Sequence, residues 1–180
     1  NATVTMSAVQ SDRMTAAVER LLATTAGDGS GATEIAIACG TATGRYPSVD
    51  TDEAYQLTVG ADRISISAAE EAGVLHALRT LAQLCTTENG VTTVPCAVVE
   101  DRPRFAWRGA MLDLARHFVP LENVLAHLDA MSMVKLNVLH LHLTDTQAFR
   151  VESHLRDQVH LHSVDADLYQ RPWYTHEEIR

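Results

Sequence analysis

The stretch that decides the architecture begins Arg108-Gly109-Ala110-Met111-Leu112-Asp113-Leu114-Ala115-Arg116-His117-Phe118. It continues through Pro120-Leu121-Glu122 and closes on Leu136-Asn137-Val138-Leu139-His140-Leu141-His142-Leu143-Thr144-Asp145. The first part predicts a strand from residue 105 to about residue 112. Pro120 suits the first turn of a helix, and Val124, Leu128, Met131 and Val134 recur at helical spacing as its buried face, through Lys135. Residues 136–143 predict a second strand after almost no loop. A strand, a helix and a strand in that order give a crossover long enough for a parallel pair.

Two polar clusters fall at the C-terminal ends of these strands, Asp113–Phe118 and Leu143-Thr144-Asp145-Thr146-Gln147. In parallel β/α folds that end is where ligands bind. Arg116 there offers a rigid fork of donors, suited to a pair of adjacent hydroxyls or to a carboxylate. Asp145 offers acceptors to a hydroxyl, or to a histidine that it orients. Spacing alone leaves open that Arg116 and Asp145 simply pair and brace the strand ends. His140 and His142 share one face of their strand. Such a pair can chelate zinc, but no further ligands clearly converge on it, so a supporting role is expected and no metal. His160 and His162 repeat the pattern in a region without periodicity.

Working outward, the first hundred residues alternate helix and strand signals. Ser11 or Asp12 can cap a helix over residues 14–25, with Val18, Leu21 and Leu22 on one face. Gly27-Asp28-Gly29-Ser30-Gly31 predicts a loop. Residues 34–39 alternate as a strand, and residues 55–59 and 63–67 form a hairpin about Gly60-Ala61-Asp62. Residues 70–86 carry the clearest helical stripe, Val74, Leu78, Leu81 and Cys85. Asn89-Gly90 turns the chain into one more strand over residues 91–99. His76 beside the stripe is expected to be structural. The reading is a small α+β domain, a mainly antiparallel sheet with helices on one face. Pro103 extends the chain at Asp101-Arg102-Pro103-Arg104, and a second domain is expected to follow. The division expected is 1–100 and 101–180.

The 180 residues carry a formal net charge of −9, which argues against nucleic acid and against an anionic membrane surface. No apolar run approaches the roughly 18 residues of a membrane helix. The N-terminus carries no basic-then-apolar leader and no initiator Met, so localisation stays open, with a slight lean to the cytoplasm. Cys39, Cys85 and Cys96 form no CxxC pair and are expected to be small buried apolar residues.

The ordered motifs carry a resemblance. Asp101-Arg102-Pro103-Arg104-Phe105-Ala106-Trp107-Arg108-Gly109, Met111-Leu112-Asp113 and Arg116-His117-Phe118 resemble the first barrel strand of family 20 glycoside hydrolases, the β-N-acetylhexosaminidases. The likeness continues through Asp129-Ala130-Met131, Lys135-Leu136-Asn137, His140–Asp145 and Gln147. Tyr174-Thr175-His176-Glu177-Glu178-Ile179-Arg180 is similar to the start of the second barrel helix. Ala72–Leu81 resembles the helix of the α/β domain that precedes that barrel.

The resemblance implies exo-acting, retaining removal of terminal N-acetylglucosamine or N-acetylgalactosamine, without a cofactor. The substrate's own acetamido oxygen serves as nucleophile, an exception to the two-carboxylate scheme. It further implies that Arg116 grips the 3- and 4-hydroxyls of the terminal sugar. Asp145 would back a histidine behind the general acid and tune that acid's pKa. Many relatives carry a second aspartate where this chain has Thr146. The family's catalytic Asp-Glu pair lies on a later strand; Asp52-Glu53 falls before the barrel and does not match it. About 80 residues follow Asp101, against about 250 for a closed barrel, so two β/α units of a truncated barrel are expected, inactive alone. The alternatives are a metal-dependent barrel hydrolase using His140 and His142, and a non-catalytic carbohydrate-binding module. Oligomeric state is not legible.

Overall fold

The computed structural model describes residues 2–8, 11–25, 33–44, 48–154 and 168–180. The Gly27–Gly31 run and the His160 and His162 pair lie outside the described residues. The chain divides into two compact units, Asn1–Ala106 and Trp107–Arg180. No helix among the described residues is long and apolar enough to cross a membrane.

The first unit is built on a five-stranded sheet. Its elements are β1 (Ala2–Ala8), α1 (Asp12–Thr24), β2 (Thr33–Thr41), β3 (Tyr55–Val59), β4 (Arg63–Glu70), α2 (Glu71–Leu84) and β7 (Ala97–Asp101), the strands ordered β1-β2-β4-β3-β7. β1 pairs with β2 and β2 with β4 in parallel, whereas β3 pairs with β4 and with β7 antiparallel. The sheet is therefore mixed, which corrects the expectation of a mainly antiparallel one. The physical reason is β1, which sequence reading missed. With β1 in place, α1 becomes a crossover, and a strand returning over a helix pairs parallel.

Both helices feed one core. Met14, Val18 and Leu21 of α1 and Val74, Ala77, Leu78 and Leu81 of α2 join Ile35, Ile37, Leu57, Ile64 and Ile66 of the strands in a single buried cluster. The strand residues alternate, so the helices cover one face, as expected. Ser11 is the N-cap of α1 and accepts the amide of Met14 at 3.1 Å. Its hydroxyl also donates to the carboxylate of Glu71, and the amide of Thr43 reaches the same carboxylate at 3.2 Å. Glu71 is thus a buried carboxylate with its donors supplied.

Residues 91–99 do not form one strand. β5 (Thr86–Glu88) and β6 (Val91–Thr93) make a separate hairpin, and β7 begins only at Ala97. Asn89 at φ 51° and Gly90 at φ 78° supply the positive-φ turn that tight hairpins need. Pro95 has no amide to give a ladder, which separates the two strands. The cysteines also depart from expectation: Cys39 is buried, Cys85 half-buried and Cys96 exposed. Burial raises the thiol pKa of Cys39 and of Cys85.

The second unit holds β8 (Gly109–Asp113), α3 (Leu121–Met133), β9 (Val138–His142), a small hairpin of β10 (Thr144–Asp145) and β11 (Ala148–Phe149), and α4 (His176–Ile179). β8 and β9 pair parallel, from Gly109 opposite Val138 to Asp113 opposite His142. β8 starts four residues later than expected, because Phe105 and Trp107 stand exposed. A Cβ on Gly109 would lie 2.6 Å from the Trp107 ring, so a larger residue there would displace that exposed ring. Arg108 sets the register: its amide donates to Asn137 Oδ1 at 2.9 Å and its Nε to the Lys135 carbonyl at 2.7 Å.

Of the expected buried face of α3, Val124 and Met131 are buried, while Leu128 and Val134 are exposed. Positions seven apart align on one stripe, and Val134 leaves it because it is already the non-helical C-cap. Lys135, at φ 60°, then turns the chain into β9.

Candidate functional site

The site is assembled where β8 and β9 end. The amides of Leu114 and Ala115 both donate to the His142 carbonyl, at 3.1 and 3.0 Å, so the loop leaving β8 hangs from the last residue of β9. Within that loop Asp113 Oδ1 accepts the Arg116 amide at 3.1 Å. This closes a local turn of the kind short acidic side chains favour. The turn aims the Arg116 guanidinium back across the strand ends.

Arg116 then lies between two carboxylates. Its Nη1 meets Asp113 Oδ2 at 2.5 Å, and its Nη2 meets Asp145 Oδ2 at 2.7 Å. Asp145 Oδ2 also meets His142 Nε2 at 3.0 Å. Asp145 thus pairs with Arg116, the bracing contact that spacing alone left open, and also meets His142 of its own unit. The histidine that the resemblance implied behind the general acid would come from a later strand. Arg116 keeps 57% of its side chain exposed, so the pairing leaves it within reach of a ligand.

The charges reinforce one another. The Asp145 carboxyl is held down at about 2, first by the amide of Thr146 at 2.7 Å, then by His142 and the Arg116 charge. The Arg116 amide and guanidinium hold Asp113 below its ordinary value. Arg116 is in turn raised, chiefly by its hydrogen bond to Asp113. At neutral pH the array is one guanidinium between two ionised carboxylates.

Sequence reasoning assigned no role to Arg150, which is 0% exposed. Its Nε donates to the Leu114 carbonyl at 2.7 Å and its Nη2 to the Ala115 carbonyl at 3.1 Å. Its Nη1 reaches the Pro172 carbonyl at 3.0 Å. The guanidinium also lies 5.5 Å from the Phe118 ring centroid, where a cation is attracted to the aromatic face. Phe118 packs in turn against Tyr169 and Tyr174. The two residues just before Arg116 are thus clamped, their amides by β9 and their carbonyls by Arg150. A charged residue within Ala148-Phe149-Arg150-Val151 was the available signal.

His140 takes no part in the array. It is exposed on the same strand face as His142, opposite Met111. Among the described residues, neither histidine belongs to a group of three His, Cys, Asp or Glu side chains whose ligand atoms lie within 4.8 Å of one another. The three that do approach one another are Glu152, His154 and His176.

Residues 2–102 match the model of glycosyl hydrolase family 20, domain 2, and residues 105–180 match that family's catalytic domain. A β-N-acetylhexosaminidase of Cellulomonas fimi is 46% identical over 116 residues, which are 64% of this chain and 23% of the relative. The β subunit of Felis catus β-hexosaminidase is 40% identical over 109 residues, 60% of this chain and 20% of the relative. The solved structure of Flavobacterium johnsoniae chitobiase superposes with a TM-score of 0.85 at 34% identity, over 99% of this chain and 28% of that one. The chain spans less than a quarter of the length of these curated relatives. With both of the family's domain models matched in order along it, the chain belongs to glycosyl hydrolase family 20.

Proposed function

We propose that this chain is part of a β-N-acetylhexosaminidase, an exo-acting and retaining enzyme that removes terminal N-acetylglucosamine or N-acetylgalactosamine from glycans. The observation that carries the reading is the Asp113–Arg116–Asp145 array at the C-terminal ends of a parallel strand pair. Arg116 donates to the 3- and 4-hydroxyls of the terminal sugar, for which a planar fork is well shaped. Asp113 fixes the fork's direction and Asp145 its far side.

Asp145 has a second task. An ionised carboxylate near the general acid disfavours loss of that acid's proton, which keeps it ready to protonate the leaving oxygen. In substrate-assisted hydrolysis the acetamido oxygen attacks the anomeric carbon while the glycosidic bond breaks. The residues described here bind and orient the sugar. The family's catalytic Asp-Glu pair supplies the proton transfer and positions the acetamido group. β8, α3 and β9 serve as the first units of the catalytic barrel, with Met111, Asp113, His140 and His142 turned to its interior. Met111, 55% exposed in this unit, suits a position that further strands would cover.

The test is kinetic, in the enzyme that contains this segment, with a chromogenic N-acetylglucosaminide. Arg116→Ala is expected to lower kcat/KM by about 100-fold or more, as loss of charge-assisted hydrogen bonds to substrate on the order of 3 kcal/mol implies. Arg116→Lys should recover only a small part, because an ammonium cannot span two hydroxyls. An unchanged kcat/KM in Arg116→Ala would overturn the assignment. Turnover of the same substrate by these 180 residues alone would overturn the division of labour.

A further inference from the structure

We propose that Glu152, His154 and His176 form a binding site for a divalent transition-metal ion of the zinc class. The site is prepared by backbone. Val151 and Tyr174 form a parallel bridge, the Tyr174 amide donates to the Arg150 carbonyl at 2.8 Å, and the Glu152 amide donates to the Tyr174 carbonyl at 2.8 Å. Arg150 and Tyr174 are both buried, so each side of the bridge is anchored. Thr175 and Glu178 close a capping box around the start of α4, which fixes where His176 leaves the chain.

On that frame the three side chains converge. One ligand atom from each can be chosen so that all lie within 4.8 Å of one another. His154 Nε2 is 4.0 Å from Glu152 Oε1, and His176 Nδ1 is 3.9 Å from Glu152 Oε2. The two imidazoles meet edge to face with centroids 5.4 Å apart. Bonds of about 2.0–2.1 Å to a tetrahedral zinc would place ligand atoms about 3.4 Å apart. Small rotations of the two exposed rings, 72% and 51% accessible, cover the difference. Three protein ligands leave a fourth position open to water, as in three-ligand zinc sites.

The donor set fixes the class of ion. Two imidazoles and one carboxylate suit zinc, nickel or copper, and not magnesium or calcium, which prefer oxygen. Glu152 already accepts the His176 amide at 3.1 Å, an interaction that orients its carboxylate. The neighbouring cation, Arg171, is engaged by Glu178 through two hydrogen bonds of 2.7 and 2.6 Å. Its charge still acts on Glu152 and opposes a second cation, so the affinity is moderate. A bound ion would tie residues 150–154 to the start of α4.

The experiment is calorimetric titration of the chelator-stripped full chain with zinc and, separately, with magnesium. Wild type is compared with His154→Ala, His176→Ala and the double variant. One zinc per chain is expected, weakened at least about tenfold by either single substitution, with no saturable magnesium binding. Zinc should raise the Tm of the wild type and leave that of the double variant unmoved. Both histidines are exposed, so the variants retain the fold, which circular dichroism verifies. The chain has nine histidines, and zinc held equally well by the double variant would place the ion elsewhere and overturn the proposal. Absence of zinc binding to the wild type, or a single variant that binds as tightly as wild type, would overturn it too.

Discussion

Asp145 receives the Thr146 amide and hydroxyl on one oxygen and the Arg116 and His142 side chains on the other. These donors favour its ionised form, and they place its pKa at about 2 against an ordinary 3.8. A folded-state pKa below the unfolded one stabilises the folded chain above the ordinary carboxylate pKa, and that contribution is lost as pH falls through about 2. The Asp145 carboxyl resonance should therefore stay flat from pH 6 down to about pH 3, and His142→Ala should move its inflection upward. A midpoint near the ordinary value in the wild type would show that the array does not hold in solution. The meeting of Arg116 and Asp145 was legible in the sequence as one open reading, because both stand at the ends of neighbouring apolar runs. Arg150 was not legible. Its role depends on carbonyls at Leu114, Ala115 and Pro172, and carbonyl direction follows from tertiary folding, not from residue type.

At the level of elements, α2 contains a glycine in its first turns, where alanine would ordinarily favour a helix by about 1 kcal/mol. Here the sign reverses. A Cβ at Gly73 would stand 2.2 Å from the Ala54 carbonyl oxygen and 2.8 Å from the Ala68 Cβ. Gly73→Ala is expected to destabilise the chain by about 1–3 kcal/mol, the usual cost of overpacking, as read from denaturant midpoints. A gain in stability would mean that residue 54 and α2 do not approach so closely. Helical periodicity revealed α1, α2 and α3 because each buries a stripe, and alternation revealed β2, β3 and β4 for the same reason. β1 escaped because Ala-Thr-Val-Thr-Met-Ser-Ala presents few large residues, and its partner is a strand reached only across α1. The hairpin of β5 and β6 escaped because both strands are largely exposed and carry no apolar alternation.

On the scale of the whole chain, burial is uneven. The first unit's cluster gathers residues from β2, β3, β4 and both helices, whereas the second's holds Leu114, Phe118, Val124 and Tyr174 at its centre. Native-state hydrogen exchange is therefore expected to leave the amides of β2 and β4 protected longest and to release those of β8 and β9 sooner. Equal protection of the two sets would contradict that ordering. The compact units divide after Ala106, a few residues beyond the Pro103 crossing at which the sequence placed the boundary. The Arg150 clamp carries one more consequence, and it concerns time. Its bonds to Leu114 and Ala115 span 36 and 35 residues of chain, and its bond to Pro172 spans 22 more. A chain emerging from the ribosome makes β8 and the Arg116 loop long before Arg150 and Pro172 exist to hold them. The Arg116 loop is thus among the first parts of this unit to be synthesised and among the last to acquire its shape.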